Sequence, residues 1–414
     1  MAKAIVTTDI ANFWNAYDKI KATPDTAEHY KLINTLFIDK GTPGLKAIMQ
    51  AREYIDTSYV EAIKNYPNFW QSVRANTLKA DQLAKVISND VAKIKDIYPS
   101  LKATTIYFTV GALRTSGTTL DNIVLIGSEI ALGDSTTIVS ELPANFSHLA
   151  TYFKSNPIKD IVFLNVHEYV HTQQKTTVGN HLLAQCVLEG VAEFVTVTAT
   201  GKQSPTPAIA YGKANASKVR SVFEQQFLNP FYGFWLYSNA DNEFNTRDLG
   251  YYVGYAICES YYNKATDKKA AIKNMIELDY NDDKALLKFI DESGYFNKPI
   301  KDVQQAYEKS RPTVANVSIK NGSKNISPTL STLTITFSEK IDERFRNFDY
   351  GPLGENHVLR ITKFTGYGSD GKSALFEIAM EPNKHYQLLV GGGWRNEKGI
   401  SLQPYLIDFE TGKE

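Results

Sequence analysis

Along the first hundred residues, apolar side chains recur every three or four positions. NFWNAYDKI (12–20), HYKLINTLFI (29–38), PGLKAIMQARE (43–53) and ADQLAKVISNDVAKIKDIYP (80–99) keep such a stripe, which predicts amphipathic helices. The period then shortens. TTIYFTVGA (104–112) and NIVLIGSEIAL (122–132) are rich in Val, Ile, Phe and Tyr and predict strands. Between them LRTSGTTLD (113–121) is made of turn formers and predicts a loop. Helical spacing resumes in DIVFLNVHEYVHTQQ (160–174), LLAQCVLEGVAEFVTVTAT (182–200) and DLGYYVGYAICESYYNKA (248–265), with shorter helices to about 310.

The texture changes at Arg311-Pro312. TVANVSI (313–319), TLTITF (332–337), VLRITKF (358–364), ALFEIAM (374–380), YQLLV (386–390) and PYLIDFE (404–410) alternate apolar and polar positions. Asn-Gly, Ser-Asp-Gly, Glu-Pro-Asn and Gly-Gly-Gly separate them, the pattern of an antiparallel sandwich. The expectation is an α+β protein: a mostly helical domain with a small sheet over 1–310, then an all-β domain over 311–414. A length of 414 residues agrees with two cores rather than one.

Charge removes some function classes. Lys plus Arg and Asp plus Glu number 45 each, so nothing points to nucleic acid or an anionic membrane as partner. No uninterrupted apolar run approaches eighteen residues, so no transmembrane helix is expected. The opening MAKAIVTTDIANFW does not read as a signal peptide. Cys186 and Cys258 lie in apolar helical patterns and read as small core residues.

The chemistry concentrates in His167-Glu168-Tyr169-Val170-His171. Helical positions i and i+4 differ by about 40° and one turn of rise, so both imidazoles face one side, as two ligands of a tetrahedral zinc do. Glu168 lies about 100° round the helix, displaced from the metal but within reach of a water beside it. The alternative is a helix that carries two histidines for packing or solvation. A third ligand is needed, and seventeen residues after His171 comes Glu189, in LEGVAEF. The interval holds a reversal through TTVGN and a returning helix. Glu189 and Glu193 are again i and i+4, among apolar neighbours where two carboxylates call for a cation or strong donors. Glu189 can bind the metal while Glu193 accepts from the far nitrogen of a ligand histidine. His181, between the two helices, reads as a polar loop residue that could also line the cleft.

HEYVH followed by EGVAEF resembles the gluzincin metallopeptidases, the group of thermolysin and the zinc aminopeptidases. More closely, IYFTVG, the SGTT loop, LIGSE, HEYVH, LEGVAEF and GYYVGY, in that order over about 10–300, resemble a bacterial family of predicted zinc-dependent proteases related to a gliding-motility lipoprotein. The resemblance implies a zincin-like fold, a Zn2+ cofactor, peptide or protein substrates and Glu189 as the ligand, because the ligand stands immediately before the glycine. It implies that NIVLIGSEIALG (122–133) is an edge strand that binds extended peptide by strand addition; an ordinary buried strand is the other reading. Tyr251 followed by Gly254 is similar to the Tyr-x-x-Gly segment of zinc aminopeptidases, where the tyrosine donates to the oxyanion. RPTVANVSIKNGSKNISPTLSTLTITFSEKID resembles bacterial immunoglobulin-like domains of exported enzymes. That implies a periplasmic or cell-surface location and a lipid anchor on a removed leader. A rival implication is a surface protein that keeps the fold, has lost turnover, and binds peptide or glycan.

Overall fold

The computed structural model describes residues 4–413 apart from 121 and 240. Helix takes 46% of the chain and strand 16%, so the class is α+β. By density of contacts the chain divides into two units. The first holds residues 1–177, 188–207 and 261–279, and the second 178–187, 208–260 and 280–414.

In the first unit the predicted helices appear as Thr8–Lys21, Thr26–Ile33, Pro43–Arg52 and Ala80–Ile97, with a wide turn at Asn34–Ile38. Two further helices, Asp56–Asn65 and Pro67–Thr77, fill the stretch between them. The second starts on Pro67, whose fixed φ and missing N–H suit a first helical turn. Their apolar stripes meet in an aromatic cluster. Phe13 packs against Trp14, Phe37 and Trp70 at centroid distances of 5.2, 5.4 and 4.8 Å.

Four short strands form one sheet: β1 (Ala4–Val6), β2 (Thr105–Thr109), β3 (Gly117–Leu120) and β4 (Ile123–Gly127), in the order β1-β2-β4-β3. This corrects the sequence reading in three ways. The segment 113–121, expected as a loop, contains β3; its last residue lies outside the described ones. The strand expected over 122–132 stops at Gly127 and continues as a helical turn, Ser128–Ala131. A Cβ on Gly127 would stand 2.1 Å from the Thr115 carbonyl oxygen, so this chain reversal requires glycine. Finally, the strand within 122–133 is not an edge: β4 runs parallel to β2 on one side and antiparallel to β3 on the other. Its side chains Val124, Leu125 and Ile126 are buried, as an interior strand requires. The edge is β3.

Glu129, in the turn after β4, is fully buried. Its two carboxylate oxygens accept from Gly111 N at 2.9 Å and Leu113 N at 3.1 Å, which fixes the bend leading to β3. Burial pushes its carboxyl up to about 7, against the two amides that favour the anion.

In the second unit the C-terminal strands fall close to where alternation placed them. One sheet has the order β5-β6-β9-β8, with β5 Val314–Val317, β6 Thr332–Phe337, β8 Arg360–Tyr367 and β9 Ser373–Ala379. The other has the order β11-β10-β7, with β7 Phe348–Asp349, β10 His385–Val390 and β11 Tyr405–Glu410. Leu333, Ile335 and Phe376 from the first sheet and Leu388, Val390 and Ile407 from the second share one apolar core. Asn229, 1% exposed, joins this region to the helices of its unit. It accepts from Tyr307 OH at 3.1 Å and Ser401 N at 3.0 Å, and donates to Gly399 O at 2.8 Å.

Candidate metal centre

The helix Ile161–His171 carries His167 and His171, and the helix Leu182–Thr200 carries Glu189 and Glu193. All four residues belong to the first unit. Both helices are apolar on most faces because they are buried. The second would pass by length and composition for a membrane span, yet 83% of its apolar window is buried inside the protein. Tyr169 pins the first helix: its hydroxyl accepts from Thr104 N and donates to Lys102 O, both at 3.0 Å, just ahead of β2. Thr104 and Thr172 hydroxyls add a contact of 2.9 Å.

The structure brings His167, His171 and Glu189 together, 5%, 7% and 6% exposed, with one ligand atom of each within 4.8 Å of the others. His167 Nε2 lies 3.0 Å from His171 Nε2 and 3.4 Å from Glu189 Oε2; His171 Nε2 lies 3.3 Å from the same oxygen. Tetrahedral ligands at about 2.0–2.1 Å from zinc stand about 3.3–3.4 Å from one another, so the three atoms fit three corners of such a site.

The far nitrogens fix the tautomers. His167 Nδ1 meets Glu193 Oε2 at 2.9 Å, and His171 Nδ1 meets Gln174 Oε1 at 2.6 Å. Both partners are acceptors, because Gln174 directs its Nε2 at Leu188 O, 2.9 Å away. Each Nδ1 therefore holds a proton, and each Nε2 turns a lone pair toward the shared point. Two imidazole lone pairs and a carboxylate oxygen converging in a buried place require positive charge there, a proton or a metal cation. The electrostatics agree. Burial opposes a charge on His167, but Glu189 and Glu193 outweigh it and push the imidazole up to about 10. Burial would raise Glu189, but His171 and His167 hold it well below the usual carboxylate range. The residues present fit a zinc ion.

Glu168 stays out of this triad and is half-buried. Its Oε2 accepts from Thr119 Oγ1 on β3 at 2.6 Å, so the edge strand and the His167–His171 helix meet at this carboxylate. Glu193 is held from behind by the Ser204 hydroxyl, which also accepts from Thr206 N at 3.0 Å. Sequence reading missed Gln174, Ser204 and Thr119. Gln174 sits at i+3 from His171 and could have been found by asking what answers that ring's second nitrogen. Ser204 and Thr119 have no local signal, since their partners lie 11 and 49 residues away.

The other candidates belong to the second unit. Tyr251 belongs to the second unit, half-buried on the helix Leu249–Lys264, with its ring 6.5 Å from that of Tyr237. His181, also in that unit, is a buried residue at a helix start: its Nδ1 accepts from Ala184 N at 3.2 Å and its Nε2 meets Asp283 at 3.2 Å. Cys186 and Cys258 are buried and form no disulfide, as expected of core residues.

Residues 147–282, which include HEYVH, LEGVAEF and Tyr251, match a family described as "Predicted Zn-dependent protease (DUF2268)". The match supports zinc-dependent proteolysis in coarse terms. No curated protein matches the chain. Two solved structures are similar at 14% identity and a TM-score of 0.20. One is an S-layer protein, rSbsC(31-844), over 80% of this chain and 46% of that one. The other is the N-terminal part of the bacterial S-layer protein SbsC, over 80% of this chain and 79% of that one.

Proposed function

We propose that this chain is a gluzincin-type zinc peptidase in which His167, His171 and Glu189 hold the metal and Glu168 is general base and acid. The observation that carries the reading is the convergence of two imidazole lone pairs and one carboxylate oxygen on a point beside a helix that also presents Glu168. A zinc ion held there would polarise the scissile carbonyl and acidify water. The chain's own groups do the rest. Glu193 and Gln174 orient the rings. Glu168 takes the proton of the attacking water and returns it to the leaving amine. Thr119 holds Glu168 Oε2, which leaves Oε1 for proton transfer. Extended peptide would pair with the outer edge of β3, whose strand partner among the described residues is β4. Tyr251 is proposed as the oxyanion donor.

The same proposal takes 1–310 as the zincin-like catalytic domain and 311–414 as an immunoglobulin-like sandwich, supported by the single core shared by the two C-terminal sheets. It places the enzyme outside the cytoplasm, in the periplasm or on the cell surface of a bacterium, as a lipoprotein. Hydrolysis of a mixed peptide library with zinc, with chelator and by Glu168→Gln tests the reading. Turnover lost on chelation and in Glu168→Gln, with zinc retained in the variant, is the expected result. A library left intact by the zinc-loaded parent would leave a protein that binds without turnover.

A further inference from the structure

One cavity opens beside Glu168 and a second adjoins it through Ser116 and Tyr152, both walled by the first unit. The first, of about 240 Å³, is bounded by Ile126, Ala131, Ile161 and Leu164, with Gly117 and Glu168 at the β3 side. It is smaller than the several hundred Å³ that hold whole ligands and suits one side chain. Leu164 is one helical turn before Glu168 and 37% exposed, an unusual surface position for leucine on an otherwise buried helix. Ile126 and Gly117 are register partners on β4 and β3, so the cavity opens at the first residue of the edge strand. Because side chains alternate along an extended strand, a peptide paired with β3 turns one side chain in two toward this face.

Besides the Ser116 and Tyr152 hydroxyls, the polar part of the first wall is two acceptors. Glu168 contributes a carboxylate. Asn165, 1% exposed, directs its amide nitrogen at Ile161 O, 2.8 Å away, and no described residue donates to its Oδ1. The Glu168 carboxylate disfavours acidic side chains there. The second cavity, about 270 Å³, shares Ser116 and Tyr152 with the first and carries a cation: its wall includes the Arg114 guanidinium, and also His148. The Arg114 guanidinium is steadied over the Tyr54 ring at 5.5 Å and on the carbonyl of Arg52 at 2.7 Å. Among the described residues no carboxylate pairs with Arg114 or His148.

We infer that the cleft beside Glu168 is a two-part recognition site, taking an aliphatic side chain between Leu164 and Ala131 and a carboxylate, one or two residues along, against Arg114. This rests on the peptidase reading and names its substrate class. The carboxylate comes from an acidic side chain or from a free C-terminus.

Binding of short peptides to the zinc-loaded Glu168→Gln protein, by titration calorimetry, separates this inference from turnover. The set pairs Leu or Gly with Asp or Ala, each with a free or amidated C-terminus. Leu→Gly should weaken binding about tenfold or more, the scale of filling an apolar pocket. That difference should vanish in a Leu164→Asp background, whose partly exposed position lets the fold survive. Removing the carboxylate should weaken binding severalfold in the Arg114 protein and not in Arg114→Met, with Arg114→Lys retaining part of the preference. Amidation that matters more than Asp→Ala would identify the C-terminus as the source; the reverse would identify a side chain. Equal binding of the Leu and Gly peptides, or a carboxylate preference intact in Arg114→Met, overturns the inference. Selective binding with no hydrolysis by the parent overturns the peptidase reading alone.

Discussion

Two buried polar clusters in this protein are equally hidden from water and chemically opposite. Around Asn229 every group has a complement: the side-chain oxygen accepts from Tyr307 and Ser401, and the nitrogen donates to Gly399. Such a closed network holds elements together and has nothing left to offer a ligand. Around Glu189 the hydrogen-bond donors point away, to Glu193 and Gln174, and three acceptor atoms point inward. The contrast separates a closed polar cluster from one that could hold a cation: by the direction in which unlike and like groups face, rather than by burial.

The sharpest way to break the comparison is to remove an inward acceptor. His167→Ala or His171→Ala should abolish zinc by elemental analysis, and Glu168→Gln should keep zinc while losing about 100- to 10,000-fold in turnover. Full zinc in either alanine variant would return the pair to packing. Next in size, Tyr251→Phe should bind zinc normally and lose about a hundredfold in kcat. An unchanged kcat leaves the oxyanion donor unidentified. Gln174→Ala and Glu193→Ala, which remove outward acceptors, should each weaken zinc about ten- to a hundredfold, with Glu189→Ala worse than both. If Glu193→Ala were the worse, the two glutamates would have exchanged roles.

The closed network should respond in the other currency. Asn229→Ala leaves a hydroxyl, an amide and a carbonyl without partners and should cost about 3 kcal/mol by urea unfolding, with zinc content unchanged. The smallest effect concerns Glu129, a buried acid outside both clusters. Its folded pKa, about 7, is raised above the unfolded value near 4.5. The protonated form is favoured by folding, so this contribution is present below the unfolded value and is lost as pH rises through the folded one. The parent should lose about 2 kcal/mol more than Glu129→Gln between pH 5 and 7. Parallel stability curves for the two proteins would rule this out.

The pairs of the candidate metal site were legible because helical periodicity is local: i and i+4 spacing puts His167 with His171 and Glu189 with Glu193 whatever the rest of the chain does. The C-terminal strands were legible for the same reason, since alternation with frequent turn residues is a short-range pattern. Strand order was not local. NIVLIG reads as a strand in any setting, and only the parallel pairing with β2 and the return of SGTTL as β3 made it interior. The turn formers of 113–121 concealed β3, because in a strand of four residues pairing outweighs propensity. Thr119 on Glu168 and Ser204 behind Glu193 depend on that closure. The sequence by itself determined which side chains share a helical face, because backbone geometry sets that within one turn. Only the tertiary structure decided which strand is the edge, which oxygen answers each imidazole and where Glu168 meets the sheet, because those contacts join segments that local periodicity leaves independent.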